Sequence, residues 1–162
     1  MHAEIEEKIQ QAQDLLVRHE AQLRQDPQVR DLLERLSHQI QASMEVMQAL
    51  GVVAACRTCE ELEGGSCCGV GIENRYSVTL LVINLLLGAV LPGELLLIDS
   101  CYFLGEKGCS LKARHVLCVN YLCAKIQRNL DKPDLIKLQT IVGEELETGF
   151  RLYEIIRKII TP

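Results

Sequence analysis

The sequence predicts a mainly α-helical protein in which long helices pack with a cysteine-rich metal-binding centre. Apolar residues recur at helical spacing in both terminal parts, and the 162-residue chain has the composition of a folded domain, 48% hydrophobic and 24% charged. All eight cysteines lie between Cys56 and Cys123. We therefore expect one compact unit with three zones: a helical hairpin (1–55), the cysteine-rich centre (56–130) and a C-terminal helix (131–162).

The N-terminal zone predicts two helices joined by a short turn. One apolar seam has alternating steps of four and three residues, typical of an amphipathic helix. It comprises Ile5, Ile9, Ala12, Leu16, His19 and Leu23. Asp26 and Pro27 interrupt this seam, and Pro27 suits the first turn of a second helix. The second helix has its own apolar face: Val29, Leu33, Leu36, Ile40, Met47 and Leu50. The tight connection predicts an antiparallel hairpin.

The most apolar stretch, Val78 to Leu91, predicts a buried core helix. Asn84 and Gly88 interrupt it, and it is too short to span a membrane. We therefore expect no membrane association.

A long C-terminal helix is predicted from Asp134 to Ile160, after Pro133. Gly143 and Gly149 lie inside it and weaken its helical propensity. At 1.5 Å per residue such a helix is roughly 40 Å long and could pack along the hairpin. The long helices could also bind a protein partner or a second copy of the chain.

Charge and composition exclude some function classes. The chain has 17 basic and 22 acidic residues, no Trp and only 4% aromatic residues, so a nucleic-acid-binding surface is not expected. The segment from Met1 to Lys8 lacks the basic and apolar regions of a secretory signal, which predicts a cytoplasmic protein. In a reducing compartment, clustered cysteines are more often metal ligands or redox thiols than disulfides.

Two cysteine blocks carry the predicted chemistry. The first begins with a Cys-x2-Cys pair, whose sulfurs can reach one metal, and both blocks contain glycines that let backbone amides approach sulfur. The candidate metal ligands are Cys56, Cys59, Cys67, Cys68, Cys101, Cys109, Cys118 and Cys123.

Spacing limits how these cysteines can share one site. On a continuous helix, Cys118 and Cys123 would point about 140° apart, so both face one metal only if the helix begins or breaks between them. The neighbouring side chains of Cys67 and Cys68 also diverge. Either some cysteines are not ligands, or the eight divide between two centres.

The two blocks carry opposite charge. Residues 56–73 have a net charge of −3, and residues 101–130 a net charge of +4. Basic residues near sulfur would stabilise thiolates. Alternatively, the two segments simply attract each other across the fold.

The region from Cys56 to about Cys123 resembles the bacterial Cys-x2-Cys-x2-Cys-Cys family, which is described as zinc- or iron-chelating. The matching positions are Cys101, Phe103-Leu104, Gly108-Cys109-Ser110-Leu111, Arg114 and Cys118. Flagellin lysine-methylase relatives of this family are thought to carry iron–sulfur clusters, which the resemblance implies here. The resemblance covers less than half of the chain. The first block departs from the family pattern by a longer insert after Cys59, and His115 stands where the family usually has Pro.

The sequence therefore predicts a cysteine-ligated metal protein, with a [4Fe–4S] cluster for electron transfer, redox sensing or support of a partner enzyme. Thiolates also select zinc, so a zinc-stapled interaction module is the alternative, and metal-free redox thiols are a third. His115 is a further ligand candidate, and Cys123 could be a packing residue. The acidic loop of Glu60, Glu61 and Glu63 reads as solvated. No hydrolase or phosphate-loop signature is present, so no catalytic residue and no cofactor beyond the metal are assigned.

Overall fold

A computed structural model of the chain describes residues 3–62 and 69–161, without the side chains of residues 60–62. The predicted ligands Cys67 and Cys68, and the carboxylates of Glu60, Glu61 and Glu63, lie outside the described residues. Within the described ranges the chain is mainly α-helical, as predicted. The helices are α1 (Ala3–Gln25), α2 (Pro27–Ala49), α3 (Val52–Leu62), α4 (Val78–Leu86), α5 (Val116–Asn120), α6 (Ala124–Asn129) and α7 (Lys132–Ile160), with a 3₁₀ helix at Ile72–Arg75.

A single residue, Asp26, connects α1 to α2. Its carboxylate accepts hydrogen bonds from the amides of Gln28 (2.9 Å) and Val29 (3.0 Å), which are free donors at a helix N-terminus. Pro27 occupies the first helical position, where its missing N–H costs nothing. The two predicted N-terminal helices and their tight connection are therefore present.

The helices enclose two hydrophobic cores. The first core takes apolar side chains from α1, from the N-terminal half of α2, from α4 and from the C-terminal half of α7. The second takes them from the C-terminal half of α2, the N-terminal half of α7 and the 119–126 segment. Because opposite halves of α2 and α7 share each core, these two helices run antiparallel along each other. The C-terminal helix thus packs along α2, as expected.

The longest helix, α7, is unbroken through Gly143 and Gly149. It begins at Lys132, two residues earlier than predicted, because the Asp131 carboxylate caps the amide of Asp134 at 2.9 Å. Packing of its apolar face against α2 outweighs the poor helical propensity of the two glycines.

The apolar stretch after Ser77 forms α4, which is shorter than the predicted Val78–Leu91 helix. It ends at Leu86 because Gly88 has a φ of +78°, a left-handed conformation that terminates helices. Residues 81–84 are buried on every side. Among the described helices, none combines the length and apolarity that a bilayer crossing requires.

The buried Asn84 ties α4 to the segment between Cys109 and Cys118 of the second cysteine block. Its Nδ2 donates to the Ala113 carbonyl (2.8 Å) and to the Leu80 carbonyl (3.0 Å). Its Oδ1 accepts from the amides of Lys112 (2.8 Å) and Ala113 (3.0 Å). This polar interruption of the apolar stretch therefore fixes the start of the 112–118 segment.

A small hairpin presents one end of the second block. Strands β1 (Leu104–Gly105) and β2 (Gly108–Cys109) pair antiparallel, and Gly108 supplies the positive φ of +107° in the turn. Before the hairpin, Ser100 forms an isolated antiparallel bridge with Gly69. The bridge joins a residue at the end of the first block to the residue that precedes Cys101.

Candidate metal centre

Two cysteines of the second block lie within electrostatic range of Cys101, although the three are on different elements. Cys101 precedes β1 and is 6% exposed, Cys109 ends β2 and is exposed, and Cys118 lies partly buried on α5. Negative charge on Cys109 and on Cys118 acts on the Cys101 thiol and raises its pKa. Two of the eight predicted ligands therefore influence the charge state of a third.

The environment of Cys101 disfavours its thiolate when no cation is bound. Burial is the main cause that raises its pKa, to about 12, and the charges of Cys109, Glu73 and Cys118 add to it. A hydrogen bond from the Phe103 backbone acts in the opposite direction and lowers this pKa. That bond is the kind of amide-to-sulfur contact that the sequence predicts, supplied by Phe103 rather than by a glycine.

A buried tyrosine links the sulfur group to the start of α5. The Tyr76 hydroxyl donates to Cys118 Sγ (3.7 Å) and accepts a hydrogen bond from the His115 amide (3.0 Å). Burial, and the charges of Cys118 and Cys109, raise the pKa of Tyr76, so its hydroxyl stays protonated and remains a donor to sulfur. The Phe103 ring packs edge-on against Tyr76, with centroids 5.1 Å apart, and holds it in place.

Glu73 is a second residue near Cys101 that carries no sequence signal for a site. It is 2% exposed, and its Oε2 accepts the Gly71 amide at 2.9 Å. Gly71 has a φ of +100°, which a glycine adopts without strain, so the amide can turn toward the carboxylate. Glu73 lies in the short 3₁₀ helix and Tyr76 caps its C-terminus, and no local motif marks either residue as part of a site.

Cys118 and Cys123 belong to different surroundings. The helix breaks between them, since α5 ends at Asn120, Tyr121 is extended and Cys123 is the N-cap of α6. This break is the condition that the sequence sets for the two to share a site. However, Cys118 packs against the first core and Cys123 against the second. Packing therefore favours a structural role for Cys123.

The Cys-x2-Cys pair of the first block lies on α3. Cys56 is exposed and Cys59 is partly exposed. Cys56 and Cys59 are three residues apart, about one helical turn, so their side chains lie on the same side of α3. Among the residues that the structure describes, no group of three or more His, Cys, Asp or Glu side chains is close enough to hold a metal ion.

His115 is partly committed to a structural role. It caps α5, and its Nδ1 accepts the Leu117 amide at 3.2 Å. Burial and the nearby charge of Arg75 lower the pKa of its imidazole. Only Nε2 is left by this capping bond, so the ligand role predicted for His115 would depend on that atom.

Two of the basic residues expected near sulfur make other contacts. Lys112 Nζ donates to the Leu87 carbonyl (2.6 Å), and Arg114 Nη2 contacts Met44 Sδ (3.2 Å) and Met47 Sδ (3.8 Å). Neither is among the groups that shift the pKa of Cys101. These two cations therefore contact α2 and the residue after α4, and they do not act on the Cys101 thiol.

Comparison with known proteins gives no relative: no family model matches the chain, and no curated protein or solved structure matches it. The resemblance to the Cys-x2-Cys-x2-Cys-Cys family therefore stays a prediction that depends on the motif residues alone.

Proposed function

We propose that this chain is a cysteine-ligated metal-binding protein that carries an iron–sulfur cluster, of the [4Fe–4S] type, between its two cysteine blocks. The cluster would serve electron transfer, redox sensing or a partner enzyme. The observation that carries the proposal is that the charges of Cys109 and Cys118 act on the buried Cys101 thiol, although the three cysteines lie on different elements. Soft thiolate donors select iron–sulfur clusters or zinc over harder cations.

Electrostatics supports a cation among these sulfurs. Cys101 lies beside Cys109, Cys118 and Glu73, and each of these groups makes the Cys101 thiolate less favourable. A bound metal reverses this balance, because it deprotonates coordinating thiols and compensates their negative charge. Groups that perturb one another in this way are typical of functional sites.

The fourth thiolate ligand of the cluster comes from the first block. The Gly69–Ser100 bridge supports this, because it joins a described end of the first block to the residue before Cys101. The candidates in the first block are Cys56, Cys59, Cys67 and Cys68. When bound, a cluster supplies one-electron transfer, and the Tyr76 hydroxyl and Phe103 amide supply the hydrogen bonds to sulfur that tune its potential.

The experiment is anaerobic purification followed by absorbance spectroscopy and by iron and acid-labile sulfide analysis. We expect brown protein with iron and sulfide in equal amounts and with visible absorbance that bleaches on reduction. Cys109→Ser tests the ligand set, because Cys109 is exposed and its substitution leaves both cores intact. This variant should lose most of the iron and the absorbance.

Cys123→Ala is the matched control, because Cys123 packs against the second core. It should keep the full iron and sulfide content. Colourless wild-type protein with stoichiometric zinc would support the zinc-stapled interaction module instead, and metal-free protein would overturn both versions.

A further inference from the structure

A cavity of about 360 Å³ lies between α2, α4, α7 and residues 113–116. Its volume falls in the range of small-molecule pockets. Most of its wall is apolar, formed by Leu36, Leu80, Ile83, Ala113, Leu146 and Gly149. Phe150 and Val116 also line it, and they are 66% and 45% exposed, so apolar side chains stand at its solvent side.

Arg114 supplies a cation in this apolar setting without an oxygen partner. It is partly buried, and its guanidinium contacts only the thioether sulfurs of Met44 and Met47 among the described residues. Thioether sulfur is a weak acceptor, and a guanidinium has five N–H donors in a fork that matches a carboxylate. Arg114 therefore keeps donor capacity for a ligand.

Glu145 lines the same cavity and is 4% exposed. Its Oε2 is buried and accepts no hydrogen bond from the described residues. Burial raises the pKa of Glu145, while the Ser43 hydroxyl and the Arg114 charge act in the opposite direction. Arg75 and Arg114 give the lining its positive charge.

We propose that this cavity binds a small organic carboxylate with an apolar body. The carboxylate pairs with the Arg114 guanidinium, and the body packs over Leu80, Leu146 and the Phe150 ring. The site does not depend on the metal centre, since none of its anchoring side chains is a cysteine.

The cavity volume sets the size of the ligand. A volume of about 360 Å³ lies near the lower end of the range for small-molecule pockets. A medium-chain fatty acid or an aryl-alkyl carboxylate has this size.

The test is calorimetric titration of the full chain with sodium octanoate, octylamine and octanol, which share one apolar tail. We expect octanoate to bind at least tenfold more tightly than the other two. Amide chemical shifts of the ¹⁵N-labelled protein should change mainly at residues 113–116 and 145–153.

Arg114→Gln should weaken octanoate binding by about tenfold or more, because a charge-assisted hydrogen bond is lost. Phe150→Glu places a like charge at an exposed position and should weaken binding without unfolding the chain. Arg128→Gln removes one positive charge from an exposed position outside the cavity and should leave binding unchanged.

Preferred binding of octylamine would overturn the assignment, because it would make Glu145 the anchor. Equal affinity for the three probes, no binding, or shift changes away from the cavity would overturn it as well. Retained octanoate affinity in both Arg114→Gln and Phe150→Glu would have the same meaning.

Discussion

Substitution of the buried Asn84 gives the sharpest test of how the second cysteine block is attached to α4. Three of the four hydrogen bonds of Asn84 join α4 to Lys112 and Ala113, just before Arg114, and the fourth goes to the Leu80 carbonyl within α4. Asn84→Ala removes all four bonds. The Leu80 carbonyl keeps its bond within α4, and the exposed Lys112 amide can reach water. The Ala113 N–H and C=O, on a residue that is 6% exposed, lose their partners.

Each buried backbone group left without a partner costs about 1–3 kcal/mol, so Asn84→Ala should lower the free energy of unfolding by about 2–6 kcal/mol. Urea unfolding with linear extrapolation measures this loss. Hydrogen exchange at the Ala113 amide should also accelerate. Asn129→Ala is the matched control at an exposed site and should change stability by no more than about 0.5 kcal/mol. A loss below about 1 kcal/mol for Asn84→Ala would refute the reasoning.

Three further variants test other parts of the fold by urea unfolding. Gly143→Ala should stabilise the protein by about 0.5–1 kcal/mol, because the new methyl group meets no atom within 4 Å in α7; a loss would contradict this. Asp26→Ala should cost about 0.5–2 kcal/mol through loss of the α2 cap, whereas an unchanged midpoint would show that the cap is dispensable. Burial raises the native pKa of Glu145, so its ionisation removes stability as the pH rises above 4.5. Glu145→Gln should therefore gain stability relative to wild type between pH 4 and pH 7, by at most about 1.4 kcal/mol per pH unit, and a gain that does not grow with pH would contradict this sign.

The helices could be predicted because their signal is local. The three-and-four spacing around Ile9 and the Asp26-Pro27 pair act within a few residues of themselves, so the periodicity suffices. The end of α4 was misjudged because an apolar run continues past Gly88. The left-handed backbone of that glycine, rather than the hydrophobicity of its neighbours, ends the helix.

The sequence predicts the type of ligand in the candidate site, but it does not predict which residues lie near Cys101. Residue type is enough to identify cysteines as soft donors, and spacing showed that Cys118 and Cys123 need a break between them. Which thiols approach Cys101 depends on packing between distant segments. The contributions of Tyr76 and Glu73 arise from the same packing, and neither residue carries a local signal.

The antiparallel pairing of α2 with α7 has a consequence for the order of folding. Residues 50–131 lie between these helices, so neither shared core can close during synthesis until α7 has left the ribosome. Closing the loop of residues 50–131 costs conformational entropy before the contacts between α2 and α7 stabilise the fold. The α1–α2 connection can form early, whereas the walls around Cys101 and Cys118 must wait for the C-terminal half of α7. A nascent chain would therefore expose these thiols longest, and their protection is one of the last events of folding.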